Sequence, residues 1–225
     1  MADADDLAPT PPEAPPGCPL CPRLVAYRQE NAAAHPDWFN RAVPSWGDHP
    51  EAVRLLVVGL APGVQGANRT GRPFTGDWAG DLLYATLLAP GLATGPYARS
   101  PDDDLRLDGT MITNAVRCVP PQNRPTASEV NTCRNFLAAR IAALPNLRAL
   151  LCLGKISHDS TVRALGGRVA AQKFAHESAY DLDGPNGALT VVSSYHCSRY
   201  NTNTGVLTEA MFASAVARAK AAAGL

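Results

Sequence analysis

An α/β fold with a parallel sheet covered on both faces is predicted by two features of this 225-residue sequence. Short apolar runs alternate with helical segments along the chain, as parallel strands joined by helical crossovers require. The first run also leads straight into a glycine-rich loop and a helix, GLAPGVQGANRTGRPFTGDWAGDLL, whose chemistry is too mixed for a linker. The length suits one domain that buries a full core without disulfide staples.

The elements follow in order. Residues 1–17 are rich in Ala, Pro and Asp and lack the basic start and apolar stretch of a secretory signal, so they read as a disordered tail before a single domain over 18–225. Residues 53–58 form the first buried strand, and a helix is expected over 80–88. Further strand-like runs lie at 110–115, 148–153 and 188–194. Thr126-Ala-Ser-Glu129 has capping-box spacing ahead of a helix over 130–143, and 208–223 is Ala-rich with apolar residues at helical intervals. No run approaches the length of a membrane span, which predicts a cytoplasmic protein.

In a parallel sheet, ligands sit beyond the carboxyl ends of the strands. That rule gathers the loop after Gly59, Asn114 at the second strand end, and His196 just past the last strand into one cleft. The loop fails both common phosphate-binding patterns. It offers Asn68 and Arg69 for polar contacts, Phe74 as a flat apolar face and Asp77 as a carboxylate opening a helix. Each also has a plainer reading: Phe74 as core, Asp77 as a helix-end charge, Asn114 as a turn residue, His196 as a capping or core histidine.

Net charge is zero, so no whole-molecule field draws in nucleic acid. The only lysines are Lys155, Lys173 and Lys220, whereas Arg69, Arg72, Arg117, Arg124 and Arg199 fall in or beside the loops of interest. Guanidinium groups there suit phosphate contacts. Cys18 and Cys21 form a two-residue-spaced pair, and Cys118 and Cys133 flank a proline-rich stretch; four thiols from two distant segments suggest zinc or an iron–sulfur cluster, which spacing does not separate. Cys152 lies in an apolar run and reads as a small buried hydrophobe, while Cys197 stays open.

With these residues assembled, the chain resembles the family-5, or B-type, uracil-DNA glycosylases from Cys18 to the final helix. The resemblance rests on the glycine-rich loop, Thr113-Asn114-Ala-Val-Arg-Cys118, the four cysteines and His196-Cys-Ser-Arg-Tyr-Asn201-Thr-Asn-Thr-Gly205. Leu60, where family 4 carries Glu, separates the two iron–sulfur families. The resemblance implies a three-layer α/β/α sandwich with a four-stranded parallel sheet, and a 4Fe-4S cluster on Cys18, Cys21, Cys118 and Cys133. It implies excision of uracil and other damaged bases such as hypoxanthine, xanthine and etheno-cytosine from DNA that is expected to be double-stranded; no lysine nucleophile falls in the cleft, so a monofunctional enzyme is expected, and a monomer is the default for one that scans DNA.

On that reading Asp77, His196 and Asn114 carry the chemistry, with Asp81 as the fallback carboxylate. Ala61, Gly63, Gly66, Asn68 and Phe74 complete the base pocket, the two glycines leaving it roomy. Arg69 and Arg72 meet DNA, as does the segment 198–205, with Ser198, Arg199 on phosphate, and Tyr200 or Asn201 filling the gap left by the extruded base. The alternative is a non-catalytic nucleic-acid-binding module with a structural cluster.

Overall fold

A computed structural model describes residues 10–225. In chain order the elements are α1 (Pro22–Ala34), β1 (Trp46–Gly47), β2 (Leu55–Gly59), α2 (Ala67–Thr70), α3 (Trp78–Leu88), β3 (Ala93–Thr94), β4 (Arg106–Leu107), β5 (Thr110–Asn114), α4 (Ala127–Ala142), β6 (Ala149–Leu153), α5 (Lys155–Ala164), β7 (Ala179–Gly184), β8 (Gly187–Ser194), α6 (Arg199–Asn203) and α7 (Glu209–Ala223). The main sheet runs β1-β5-β2-β6-β8-β7. Its four central strands are parallel, and they are the four expected from the sequence. β1 and β7 add antiparallel edges, so the sheet is mixed and six-stranded rather than four-stranded.

Strand residues alternate between two cores. Leu55, Val57, Ile112, Leu151 and Val192 meet Leu83 and Leu87 of α3 and Phe212 and Val216 of α7. Leu56, Val58, Met111, Leu150 and Val191 pack with Leu137 and Ile141 of α4 on the other face. Helices on both faces make the expected three layers. Thr126 and Glu129 close the capping box that starts α4. No helix among the described residues is long and apolar enough to cross a membrane.

The expected tail needs correction. Its first nine residues lie outside the described part, but the stretch from Thr10 to Gly17 packs on the domain. The Glu13 carboxylate takes Arg117 at 2.8 Å, pairs with Arg140, and accepts the Ser45 N–H at 2.9 Å. Burial works against its charge, yet Arg117, the Ser45 hydrogen bonds and Arg140 hold its pKa below the ordinary value. A fully buried guanidinium at Arg117 needs such a partner, which is why this segment does not float free.

Candidate active site

β2, β5 and β8 end at Gly59, Asn114 and Ser194, side by side except for the intervening β6. Beyond those ends lies a cavity of about 450 Å³, lined by Leu60, Ala61, Pro62, Gly63, Phe74, Asp77, Asn114 and His196 on its inner side and by Asn123, Ser198, Arg199 and Tyr200 toward its mouth. The size is ordinary for a small-ligand site. The strand order reverses at β2, the position where open α/β sheets bind ligands.

Asp77 is at once a helix cap and a cavity wall. Its Oδ1 accepts the Gly80 N–H at 3.1 Å at the start of α3. Burial raises its pKa above the ordinary aspartate value, the Gly80 hydrogen bond opposes this, and Asp81 adds to it. Gly66 exists for this carboxylate: a Cβ there would stand 2.2 Å from Asp77 Oδ2, and one at Gly63 would stand 3.0 Å from it. The missing side chain at Gly66 therefore accommodates this carboxylate, and Gly66 does not line the cavity, whereas Gly63 does.

Asn114 caps β5 with its Oδ1 buried and without a hydrogen-bond partner among the described residues. Gly59 makes its place, since a Cβ there would meet Asn114 Oδ1 at 2.4 Å and the Phe74 ring at 2.6 Å. Phe74 is buried and adopts a left-handed backbone, φ 54°. Its ring stacks toward His196 at a centroid distance of 6.1 Å. His196 is half-buried, its open side on the cavity, and burial pushes its pKa down to about 4, so its imidazole is neutral at physiological pH. Cys197, left open by the sequence, is fully buried with its Sγ 3.5 Å from the Ala79 carbonyl, packing the histidine loop against α3.

Several expected contacts fall elsewhere. Arg72 is buried, paired with Asp103 through both guanidinium nitrogens at 2.6 and 3.0 Å, and stacked 4.7 Å over Trp46; it is a strut and not a DNA contact. Asn68 is fully buried and donates to Asn40 Oδ1 at 2.9 Å, fixing the loop instead of reaching the cavity. Asn201 donates to the His196 carbonyl at 2.8 Å, which removes it as a gap filler and makes it the brace of the histidine. Asp81 pairs with Arg99 and faces a groove between α3 and α7, outside the cavity. Arg69 is half-buried beside Gly76, its Nε tied to the Gln65 carbonyl. Arg199 lies 5.5 Å over the ring of Trp78, and Tyr200 is 74% exposed.

Sequence reasoning missed Asn123, which reaches the cavity from the proline-rich stretch after Cys118. The available signal was an amide set among prolines, at a residue type that tolerates left-handed backbone. It also missed Trp78, the residue after Asp77.

Cys18, Cys21, Cys118 and Cys133 are free thiols that line one small enclosed cavity with Ala14, Leu24, Val116 and Phe136. Among the described residues no group of His, Cys, Asp and Glu is drawn tightly enough for a lone metal ion. Burial pushes the Cys118 thiol up to about 12, and the other three thiols add to the rise. Four thiols crowded into one cavity, with the Arg117 N–H 3.2 Å from Cys133 Sγ, fit a cationic centre that would take all four as thiolates. Cys152 is fully buried in β6, as a small hydrophobe.

Comparison with known proteins agrees with this architecture. Residues 46–220 match the Uracil DNA glycosylase superfamily. The chain is 45% identical over 213 residues to a type-5 uracil-DNA glycosylase of Thermus thermophilus, covering 92% of this chain and 94% of the relative. It is 41% identical over 211 residues to a type-5 enzyme of Pyrobaculum aerophilum, covering 92% and 89%. A type-4 uracil-DNA glycosylase of Pyrobaculum aerophilum is 34% identical over 152 residues, covering 67% and 62%.

Proposed function

The chain belongs to the uracil-DNA glycosylase superfamily, and on that premise we propose that it is a monofunctional glycosylase, acting as a monomer, that draws uracil out of duplex DNA into the 450 Å³ cavity and hydrolyses its N-glycosidic bond. The observation that carries this reading is the convergence of a buried carboxylate, an unpartnered amide oxygen and a neutral imidazole on one cavity. The relatives of both type 5 and type 4 are named for uracil in DNA.

A base inside the stack is unreachable, so it must be extruded, and the cost of unstacking is offset by new contacts in the pocket. Phe74 supplies a face for stacking. The Asn114 amide both donates and accepts, which suits the adjacent carbonyl and N–H of a uracil edge. His196, neutral, donates to the carbonyl beside the breaking bond and so stabilises the base as it leaves with the bonding electron pair. Asp77, ionised, stabilises the cationic sugar and orients the water that adds to it, by analogy with glycoside hydrolysis. No lysine lines the cavity, which supports hydrolysis without strand cleavage.

The cavity volume and the bare backbone of Gly63 in its wall support slower release of hypoxanthine, xanthine and etheno-cytosine, whereas Gly66 lies outside the lining. Cys18, Cys21, Cys118 and Cys133 would hold a four-iron, four-sulfur cluster, which when bound supplies a structural tie between the N-terminal segment and the start of α4. Iron and acid-labile sulfide in the purified protein, lost in Cys118→Ser, test that assignment against zinc.

The deciding experiment is base release from a labelled duplex bearing one uracil, followed by alkali, with wild type and Asp77→Asn in parallel. Alkali-dependent cleavage by wild type alone is expected. Release of no damaged base by either protein would reduce the site to a binding module.

A further inference from the structure

Four guanidinium groups are buried among the described residues, at Arg28, Arg72, Arg117 and Arg140. Three of them have a carboxylate, since Arg72 pairs with Asp103 while Arg117 and Arg140 share Glu13. Arg28 forms no ion pair among the described residues, although only 6% of it is exposed. Its Nη1 donates to the Pro16 carbonyl and its Nη2 to the Cys18 carbonyl, both at 2.7 Å, and its Nε is buried without an acceptor. The open pocket beside it, shared with Gln29, Asn40 and Arg41, is lined by no carboxylate either. A guanidinium stays charged inside a protein, and burying one without an anion is costly.

The missing anion lies on the side of the cysteines. Arg28 projects from α1, which begins directly after Cys21, and its bond to the Cys18 carbonyl fixes the turn that carries both thiols. Burial opposes ionisation of the Cys21 and Cys118 thiols, and the Arg28 charge works the other way. Four thiolates carry more charge than a zinc ion or a four-iron core brings, so the filled centre is a net anion. Each feature answers the electrostatic need of the other.

We propose that Arg28 is the counter-ion of the four-cysteine centre: its charge retains the filled centre, and the filled centre supplies the anion that a buried guanidinium requires. This rests on the reading of Cys18, Cys21, Cys118 and Cys133 as ligands of one centre. Arg28 is a positioning residue for that centre and takes no part in base excision.

The test measures iron, acid-labile sulfide and zinc in the full chain purified without oxygen, and then the rate at which bound metal passes to a chelator, for wild type, Arg28→Lys and Arg28→Gln. Lysine keeps the charge and loses the planar fork, whereas glutamine keeps an amide donor for one carbonyl and loses the charge. Arg28→Gln is expected to release metal about 10–100-fold faster than wild type, with Arg28→Lys close to the wild-type rate. Equal rates in all three proteins would overturn the counter-ion, and so would equally fast release by both variants, because hydrogen-bond geometry and not charge would then govern. If Arg28→Gln does not accumulate as folded protein, Arg28→Lys alone decides: a wild-type rate upholds the proposal, and release about tenfold faster overturns it. Zinc in wild type in place of iron and sulfide would overturn the cluster assignment, while the same order of zinc release would uphold Arg28. Wild type without bound metal would overturn both.

Discussion

The wall made by residues 59–77 and the wall made by α6 enclose one cavity on opposite principles. The first is tied at nearly every step. Tyr84 donates to the Pro73 carbonyl at 2.7 Å, Tyr97 bridges the Gly76 N–H at 3.3 Å and the Phe74 carbonyl at 3.4 Å, and the buried Arg72 holds Thr75 and Asp103. The second leaves Tyr200 and Arg199 exposed, with Arg199 resting only on Trp78. On the proposed function, the difference would place Phe74 and Asp77 on rigid backing, where an ångström matters, and leave the residues offered to DNA on a surface that can adapt.

The largest effect expected is on Asp77. Asp77→Asn should lower single-turnover release by about 10²–10⁴-fold, with DNA affinity retained in a binding titration. The same change should raise the melting temperature at pH 7. Burial raises the folded pKa of this acid, so its ionisation opposes folding, and the opposition is absent below the unfolded pKa and complete above the folded one. Unchanged stability together with full activity would break the contrast between the walls at its centre.

Next is Gly66→Ala, whose methyl takes the space of Asp77 Oδ2. Displacing the carboxylate should cost about 10²-fold in kcat. Because both changes act through one group, combining this substitution with Asp77→Asn should add almost nothing, as a double-mutant cycle will reveal.

Asp103→Ala leaves the Arg72 charge buried without its partner and should destabilise the protein by about 3 kcal/mol, read by denaturant unfolding. If it instead weakened DNA binding with stability intact, Arg72 would return to the DNA surface. Acid pH sharpens the contrast in another way. Activity should fall as pH drops through the Asp77 pKa, which burial raises above its ordinary value, with no limb near the usual histidine value, because His196 stays neutral down to about 4. The smallest effect belongs to the open wall: Arg199→Ala should raise KM a few-fold, reduce the salt slope of binding by about 1 and leave stability unchanged.

The central sheet was legible because β2 and β6 are apolar runs buried on both faces and β5 and β8 carry short apolar stretches at their centres. β7 was not, since Asp181 and Asp183 alternate with half-buried neighbours along an edge. α5 was hidden for a different reason: it buries Ser157, His158, Ser160 and Thr161 rather than an apolar stripe, with His158 satisfied by Ser193 and the Gln172 carbonyl, both at 2.7 Å. In the site, Asn114 and His196 were readable from strand ends, and Phe74 and Asp77 from the glycine-rich loop that runs from β2 to the start of α3. Arg72 and Asn201 were misread because residue type suggests a ligand, while Arg72 is claimed by a partner 31 residues away and Asn201 turns back onto the His196 carbonyl within its own loop.

The Glu13 anchor also sets a clock on biosynthesis. Its partner Arg140 is made 127 residues later, which at ribosomal speeds of 5–20 residues per second is roughly 6–25 s. For most of that interval Cys18 and Cys21 have been made while Cys133 has yet to be translated. Those two thiols spend their first seconds without the pocket that later shields them, so the supply of reductant during translation bears directly on how much of the chain matures.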